Sequence, residues 1–434
     1  MENIAKKLEK VFLYFLFINP FLDIVSGVYL SFAASLGLPS VTPSLLVRMG
    51  MLLLFAAYIV MRRDRRAVLL MLPVAAAWLL SALGEYLFFY AFSLYEDAAY
   101  MARFVYNLAV IPVYSLLCRR GVMSRDTLVS WFERAMVTAA LVLSSSIVLS
   151  FALGIGQSTY GDRFGYRGSK GFFYSANDIT AALMLLLPIT FCALFKLKKK
   201  TPLWKKLLCE LTPAFTVTAL LLIGTKTAFI AAIVTGAVMA VYSVGVLITK
   251  KSSLVLKRFI IADLLFAAVF LALTFTPSSN AVAVVRESFA QPGTVQGDTG
   301  LINTIFSGRQ YKLAKAFKLW KESLPYSAAF GIGRGTQQKI IEMDLCEVFF
   351  YYGLFGTVAM LWLYLRSGVS FVGKFFRRFD MTGLACFVSL GLSVVYMIMA
   401  GHVLFSVTSG FYFSLILVYA HLNYVQEPSE LKLY

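Results

Sequence analysis

The chain has 434 residues, of which 59% are hydrophobic and only 14% are charged, and its mean hydropathy is +0.77. A water-soluble domain of this length needs far more polar surface to cover its core, so the composition excludes a soluble globular protein. The formal net charge of +18 would suit a nucleic-acid-binding protein, and its distribution along the chain decides whether that function is needed.

Apolar runs recur along the chain, close to the roughly 20 residues that a helix needs to cross a bilayer. Lipid offers no partner for an open strand edge, so these runs predict an all-α polytopic membrane protein with about twelve transmembrane helices. In chain order the predicted spans are 12–36, 44–61, 67–83, 102–117, 132–153, 179–195, 207–223, 227–248, 259–275, 348–365, 381–399 and 403–422.

Lysine and arginine alternate between the two sides of these predicted helices. Basic clusters fill every second connection, at 6–10, 62–66, 119–125, 196–206, 250–258 and 366–378. This positive-inside asymmetry predicts a multi-pass protein of the cytoplasmic cell membrane with both termini in the cytoplasm. Orientation and contact with anionic membrane lipid account for the net charge, so no nucleic-acid partner is predicted.

The spacing of the spans divides the chain into three parts. Residues 1–276 hold predicted helices one to nine, residues 277–347 form a large external loop, and residues 348–434 hold the last three helices. Within the loop, Ser307–Leu324 predicts an amphipathic helix with Ser307 as its N-cap and Pro325 as its stop.

One cation of this amphipathic helix differs from its neighbours. Arg309 lies four residues before Leu313, about 40° from the apolar stripe, whereas the lysines spread around the polar surface. A guanidinium is costly to bury without an anion, so Arg309 is predicted to bind one; snorkelling to water is the alternative. The lysines are Lys312, Lys315, Lys318 and Lys321.

The outer turn Gly224–Thr227 is a second candidate anion site. Lys226 stands between two threonines there, and the following helix aims its free N–H groups outward. Arginine suits forked contacts with phosphate and lysine supplies a point charge. We therefore expect a basic external cavity that binds diphosphate, the alternative for each residue being an interfacial anchor. Its predicted members are Arg309, Lys226, Arg163, Arg167, Lys170, Arg48 and Arg103.

The candidate bases lie on the same predicted side. Glu342 and Asp344 precede the tenth span, and His402 occupies the outer turn between the last two spans. A carboxylate at a partly desolvated rim can accept a proton, whereas capping of the helix N-terminus is the alternative. The five cysteines have no metal spacing, and neither a metal nor a cofactor is predicted.

Four segments together resemble the O-antigen ligase and O-antigen polymerase superfamily of bacterial envelope glycan assembly. They are Gly171–Asn177 (GFFYSAN), Gly224–Ala228 (GTKTA), Ser307–Arg309 followed by Gly331–Gly333, and Glu342–Asp344 leading into Tyr352–Gly356. The match covers residues 163–356. Ligases of the family commonly place a histidine where this chain has Glu342–Asp344, and this departure indicates a Gram-positive-like branch that makes a capsular or teichuronic-type polymer.

The resemblance implies a metal-independent, inverting glycosyltransferase of the GT-C type, acting on the outer face of the cell membrane. Such enzymes transfer or polymerise glycan from an undecaprenyl-diphosphate-linked donor to a glycan or lipid-glycan acceptor. Inversion needs a base for the acceptor and cations for the departing diphosphate. The basic cavity and the carboxylates derived above match those two requirements.

Two other functions fit part of the sequence. A transporter or lipid-linked glycan flippase commonly has twelve helices, but such proteins usually show two equal halves or discontinuous helices at mid-membrane. Here the long external segment leaves the halves unequal, and Asp23 and Asp263 are the main mid-membrane charges. A non-enzymatic assembly scaffold leaves the external basic residues without a purpose.

Overall fold

The computed structural model describes residues 2–33, 36–37, 39, 41–89, 93–120, 122–160, 168–275, 306–334 and 341–433. Within these ranges the regular structure is helical, apart from one isolated bridge between Gln157 and Gly171. The all-α prediction is confirmed. The α-helices are α1 (Glu2–Ala33), α2 (Pro43–Met61), α3 (Arg65–Phe89), α4 (Leu94–Arg119), α5 (Arg125–Ala152), α6 (Ala176–Phe195), α7 (Leu203–Ile223), α8 (Lys226–Lys250), α9 (Leu254–Thr274), α10 (Arg309–Glu322), α11 (Tyr326–Phe330), α12 (Asp344–Arg377), α13 (Met381–Met399) and α14 (Ser409–Leu422).

Ten of the described helices, α1 to α8 with α12 and α13, are long and apolar enough to cross a membrane, which confirms a polytopic membrane protein. The two remaining predicted spans correspond to α9 and α14. Helix α9 is not among these ten helices, and it carries three charged residues, Lys257, Arg258 and Asp263. Helix α14 has 14 residues and covers about 21 Å, which is less than the roughly 30 Å of hydrocarbon in a bilayer.

The start of the last span was predicted wrongly. Helix α14 begins at Ser409, whereas the apolar pattern placed the start at Val403. Residues 400–408, here called the His402 loop, are irregular because their backbone groups bond to side chains of other helices, as described below. Hydropathy alone does not distinguish such a loop from the first turns of a helix.

The core of the bundle is built by helices that are buried along most of their length. In α6 every residue from Ile179 to Phe195 is buried, and the whole of α14 is buried too. Helix α6 packs against α5, α7, α8, α13 and α14. Outer helices instead expose large apolar side chains, with Leu53, Val241 and Leu264 being 69%, 73% and 64% exposed. An apolar exterior of this kind suits lipid as the solvent.

The predicted amphipathic helix corresponds to α10, but its start was predicted wrongly. Ser307 has a φ of 54° and Gly308 a φ of 87°, and Gly308 is the N-cap residue. Two successive left-handed residues turn the chain into the helix, so Ser307 does not cap it. The apolar side of α10 packs on α12, where the Trp320 ring lies 6.1 Å from the rings of both Phe349 and Phe350.

A glycine bend in α12 holds the segment that follows α11. Helix α12 departs from helical geometry at Gly353, whose φ is 63°. The carbonyls of Phe350 and Tyr351 therefore accept hydrogen bonds from Ile332 N and Gly333 N, at 2.9 and 3.0 Å. These two hydrogen bonds hold the segment after α11 against the first turns of α12, the helix that begins at Asp344.

Candidate active site

The backbone of the His402 loop is held by one buried carboxylate. Asp344, the first residue of α12, is 1% exposed. Its oxygens accept hydrogen bonds from the backbone N–H groups of His402, Val403 and Leu404, at 3.0, 2.7 and 2.8 Å. Three successive N–H groups around one carboxyl group form a nest. Both carboxyl oxygens of Asp344 are therefore engaged in hydrogen bonds with the backbone of the loop.

The carbonyl groups of the same loop are bonded by two polar side chains. The Asn107 amide on α4 donates to the carbonyls of Leu404 and Ser406, both at 2.9 Å. The Ser409 hydroxyl donates to the carbonyl of His402. Irregular backbone that is buried is stable only where its polar groups find partners, and these bonds supply partners for the loop.

The imidazole of His402 is a cation paired with the start of α6. Its Nδ1 lies 3.0 Å from Asp178 Oδ1, and its Nε2 lies 3.4 Å from the Asn177 amide nitrogen, which is also a donor and does not bond to a protonated ring. Burial lowers the pKa of His402, but the hydrogen bond and charge of Asp178, with the charges of Asp344 and Glu347, raise it to about 9. The ring is therefore charged at neutral pH and can donate hydrogen bonds from both nitrogens.

Glu342 connects the His402 loop to α10. Its carboxylate pairs with Lys312 at 2.5 Å and with Arg309 Nε at 3.6 Å, and its own N–H donates to Glu347 at 2.8 Å. A Cβ added at Gly401 would lie 3.1 Å from the Glu342 carbonyl oxygen. Burial raises the pKa of Glu342, but Lys312 and Arg309 hold it below its ordinary value. Glu342 is therefore ionised at neutral pH. Its side chain is 34% exposed, so a ligand can reach the carboxylate.

The turn that carries Lys226 lies next to α6. Gly224, with a φ of 74°, ends α7, and the Thr225 hydroxyl caps α8 by accepting from Ala228 N at 3.3 Å. Thr225 also contacts the Thr180 hydroxyl of α6 at 3.3 Å. Lys226, the first residue of α8, is half-buried at this junction.

Tyr396 joins the Lys226 turn to the His402 loop. Its hydroxyl donates to the Asn177 carbonyl at 3.1 Å and lies beside the side chain of Thr227. The charges of Arg309 and Asp178 both act on the same hydroxyl. The structure thus brings Arg309, Glu342 and His402 to one polar rim at the ends of α6, α10, α12 and α13, and the start of α8, which carries Lys226, lies beside this rim.

We expect Lys226 to act through its charge. Lys226→Arg should keep most of the activity because a guanidinium supplies the same charge at the helix N-terminus, whereas Lys226→Ala should lose at least tenfold in rate. Glycan transfer by the purified variants in vesicles is the measurement. Equal rates for all three proteins would show that Lys226 is only an interfacial anchor.

Other predicted cavity residues lie elsewhere or outside the described ranges. Arg48 is 4% exposed and forms a forked ion pair with Asp23, at 2.7 and 2.8 Å, so its charge is used inside the bundle. Arg103 is exposed on α4. The structure brings neither into the rim described above. Arg163 and Arg167 lie outside the described residues.

Lys170 lies in the segment that leads into α6. Its ammonium donates to the Tyr174 carbonyl at 2.9 Å, and burial lowers its pKa. The Ser169 N–H donates to the Leu222 carbonyl at 2.8 Å, which places this segment beside the end of α7. The segment that carries Lys170 therefore lies close to the Lys226 turn. That Lys170 binds diphosphate stays a prediction.

Sequence reasoning missed the residues that hold the rim together. Asp178 pairs with His402, Asn177 lies against the same ring, Tyr396 bridges two helices, and Asn107 holds the loop. Asn177 closes the GFFYSAN segment, and this was a usable signal. Asn107 and Tyr396 carry no local signal, because each lies inside an apolar helix and meets its partners only in the folded bundle.

Comparison with protein families places this chain in a known group. The family model of the O-antigen ligase-like membrane proteins matches residues 5–292 and 293–427. The chain belongs to that family. The comparisons with curated proteins and with solved structures gave no match. This O-antigen ligase-like protein is accordingly a membrane enzyme of glycosyl transfer that handles lipid-linked glycans.

Proposed function

We propose that the protein transfers or polymerises glycan from an undecaprenyl-diphosphate-linked donor at the outer face of the cell membrane. The observation that supports this most strongly is the proximity of Arg309, Glu342 and His402 at one rim, where the Glu342 side chain is 34% exposed and Tyr396 lies between this group and the Lys226 turn. With both termini cytoplasmic, as the positive-inside pattern predicts, this rim faces outward.

The three cations match the charge that develops on the leaving diphosphate. Arg309 supplies a forked donor, Lys226 a point charge at a helix N-terminus, and His402 an imidazolium fixed by Asp178. Donors that are fixed before reaction cost little reorganisation when charge appears, so they stabilise the transition state directly. We propose that these side chains perform the neutralisation without a metal ion.

Glu342 is the carboxylate we assign to the acceptor. In the free protein it neutralises Lys312 and Arg309. A bound diphosphate competes for Arg309, and Glu342 is then released toward the acceptor hydroxyl, from which it accepts a proton as the hydroxyl oxygen attacks the anomeric carbon. Attack from the face opposite the diphosphate gives inversion.

Asp344 and His402 then take roles other than that of the base. Both oxygens of Asp344 hold the backbone of the His402 loop, so Asp344 is a positioning residue. His402 holds its proton at neutral pH because its pKa is about 9, and a protonated ring is a donor to phosphate oxygen. A glycan or lipid-glycan acceptor enters beside Glu342.

We expect the activity to fall as the pH rises through about 9. The pKa of His402 is raised from its ordinary value of 6.5, so its charge, and the folding stability that the charge contributes, are fully present below pH 6.5 and lost through about pH 9. Asp178→Asn should move this alkaline limb toward pH 6.5. The measurement is the pH–rate profile of the wild type and of Asp178→Asn. If the alkaline limbs of the two profiles coincide, His402 has no part in the mechanism.

Loss of the gene tests the proposed reaction against the flippase alternative. Without a transferase, the undecaprenyl-diphosphate-linked glycan should accumulate in the outer leaflet, where an impermeant glycan-modifying reagent reaches it. Without a flippase, the same lipid should accumulate in the inner leaflet and be protected from the reagent. Accumulation on the inner side would replace our proposal with the transport function.

A further inference from the structure

A basin lined by arginines lies at the end of the bundle opposite the rim. It has a volume of about 480 Å³ and lies between the α2–α3 turn and the last residues of α4. Helix α3 separates the two ends, since Arg66 lies at the basin and Glu85, about 28 Å further along the helix, lies against Gly333 in the segment bonded to the start of α12. The lining arginines are Arg62, Arg63, Arg65, Arg66, Arg119 and Arg120.

The acidic groups near the basin are already used by the fold. Asp64 accepts from the N–H groups of Arg66 and Ala67 at the start of α3, and it pairs with Arg119 at 3.2 Å. Arg62 pairs with Glu2 at 2.9 Å and with Glu9. In the part of the chain that the structure describes, no ion pair is formed by Arg63, Arg65, Arg66 or Arg120.

The position of these charges on α3 adds a second observation. Helix N-termini favour anions because their free N–H groups and dipole are positive. Helix α3 has no acidic residue in its first turn and begins instead with Arg65 and Arg66. Asp64 already accepts from the N–H groups of Arg66 and Ala67, so the charges that remain for a bound anion at this end of α3 are the side chains of Arg65 and Arg66.

We propose that the basin binds an oligophosphate anion. Guanidinium groups from two separate connections face one concavity, which suits forked contact with two or more phosphate groups. Orientation in the membrane requires positive charge on this side, but it does not require two connections to converge on one basin. The anion comes either from a phospholipid headgroup with two phosphates or from a soluble polyphosphate.

Matched triple variants test the basin. Arg65→Ala/Arg66→Ala/Arg120→Ala removes three exposed charges and leaves the ion-paired Arg62 and Arg119 in place. Lys198→Ala/Lys199→Ala/Lys200→Ala removes the same charge from the α6–α7 connection, where all three lysines are exposed. Each full-length protein in uncharged detergent is titrated with cardiolipin and, separately, with tripolyphosphate, and binding is followed by native mass spectrometry.

We expect the arginine triple to bind at least tenfold more weakly than the wild type, while the lysine triple stays within twofold. Binding of cardiolipin alone identifies a lipid headgroup, and binding of both probes identifies the phosphate groups themselves. If the arginine triple fails to fold, Arg65→Lys/Arg66→Lys/Arg120→Lys keeps the charge and should still weaken binding several-fold by removing the forks. The proposal is overturned if both alanine triples weaken binding equally, or if the folded arginine variant binds as tightly as the wild type. It is also overturned if neither probe binds to the wild type.

Discussion

Arg309→Ala is expected to abolish glycan transfer while the protein remains folded. Its guanidinium lies beside Glu342 at the rim and is 13% exposed, so a bound diphosphate meets it in a partly desolvated site. Removing one such donor from a transition state costs about 2.7–4 kcal/mol, which corresponds to a loss of about 10²–10³-fold in rate. The measurement is the initial rate of transfer from a defined lipid-linked donor in vesicles.

A neighbouring lysine supplies the control for Arg309. Lys318 lies on the same helix with its side chain exposed, so Lys318→Ala removes one positive charge from α10 but not from the rim. We expect its rate to stay within about twofold of the wild type, because exposed charges interact weakly through solvent. Similar rates for Arg309→Ala and the wild type would show that Arg309 serves only to neutralise Glu342.

Asp344→Asn is expected to lower both stability and activity. An amide offers one acceptor oxygen in place of two, and its NH₂ group opposes the N–H groups of the His402 loop. Each buried N–H left without an acceptor costs about 1–3 kcal/mol. The melting temperature should therefore fall, and the alkaline limb of the pH–rate profile should move to lower pH, since the Asp344 charge raises the pKa of His402.

Glu342→Gln separates the positioning role from the role of the base. Glu342 is at the surface of the rim, so the amide should leave the melting temperature unchanged and lower the rate by about 10²-fold, as expected for loss of a general base. Asp344→Asn should therefore lower both the melting temperature and the rate, whereas Glu342→Gln should lower the rate alone. A stable and fully active Asp344→Asn protein would contradict the positioning role, and a fully active Glu342→Gln protein would show that the cations suffice.

The sequence predicted the helices well because their signal is local. The predicted segments agree with the helix positions from α1 to α9 and from α12 to α13, and hydropathy carries that information in each window of the chain. The failures have a common cause. Ser307 does not cap α10 and Val403 does not start α14, since both depend on backbone geometry or on side chains from distant helices.

The same distinction applies to the candidate site. Arg309, Lys226, Glu342 and His402 were predicted because each is an ionisable group near a helix end on one predicted side of the membrane. Arg48 has the same local pattern, yet Asp23 pairs with it inside the bundle. Asp344 has the same pattern as Glu342, yet its oxygens hold the backbone of the His402 loop. Only three-dimensional partners separate a binding group from a structural one.

The most direct test is transfer by the purified protein in vesicles. The protein is reconstituted with an undecaprenyl-diphosphate-linked oligosaccharide and an acceptor glycan carried on the same lipid, in the presence of a chelator. We predict a longer glycan together with released undecaprenyl diphosphate, with the new linkage inverted at the anomeric carbon, and neither product with Arg309→Ala. Movement of the donor across the bilayer without any new linkage would contradict the account and identify a transporter.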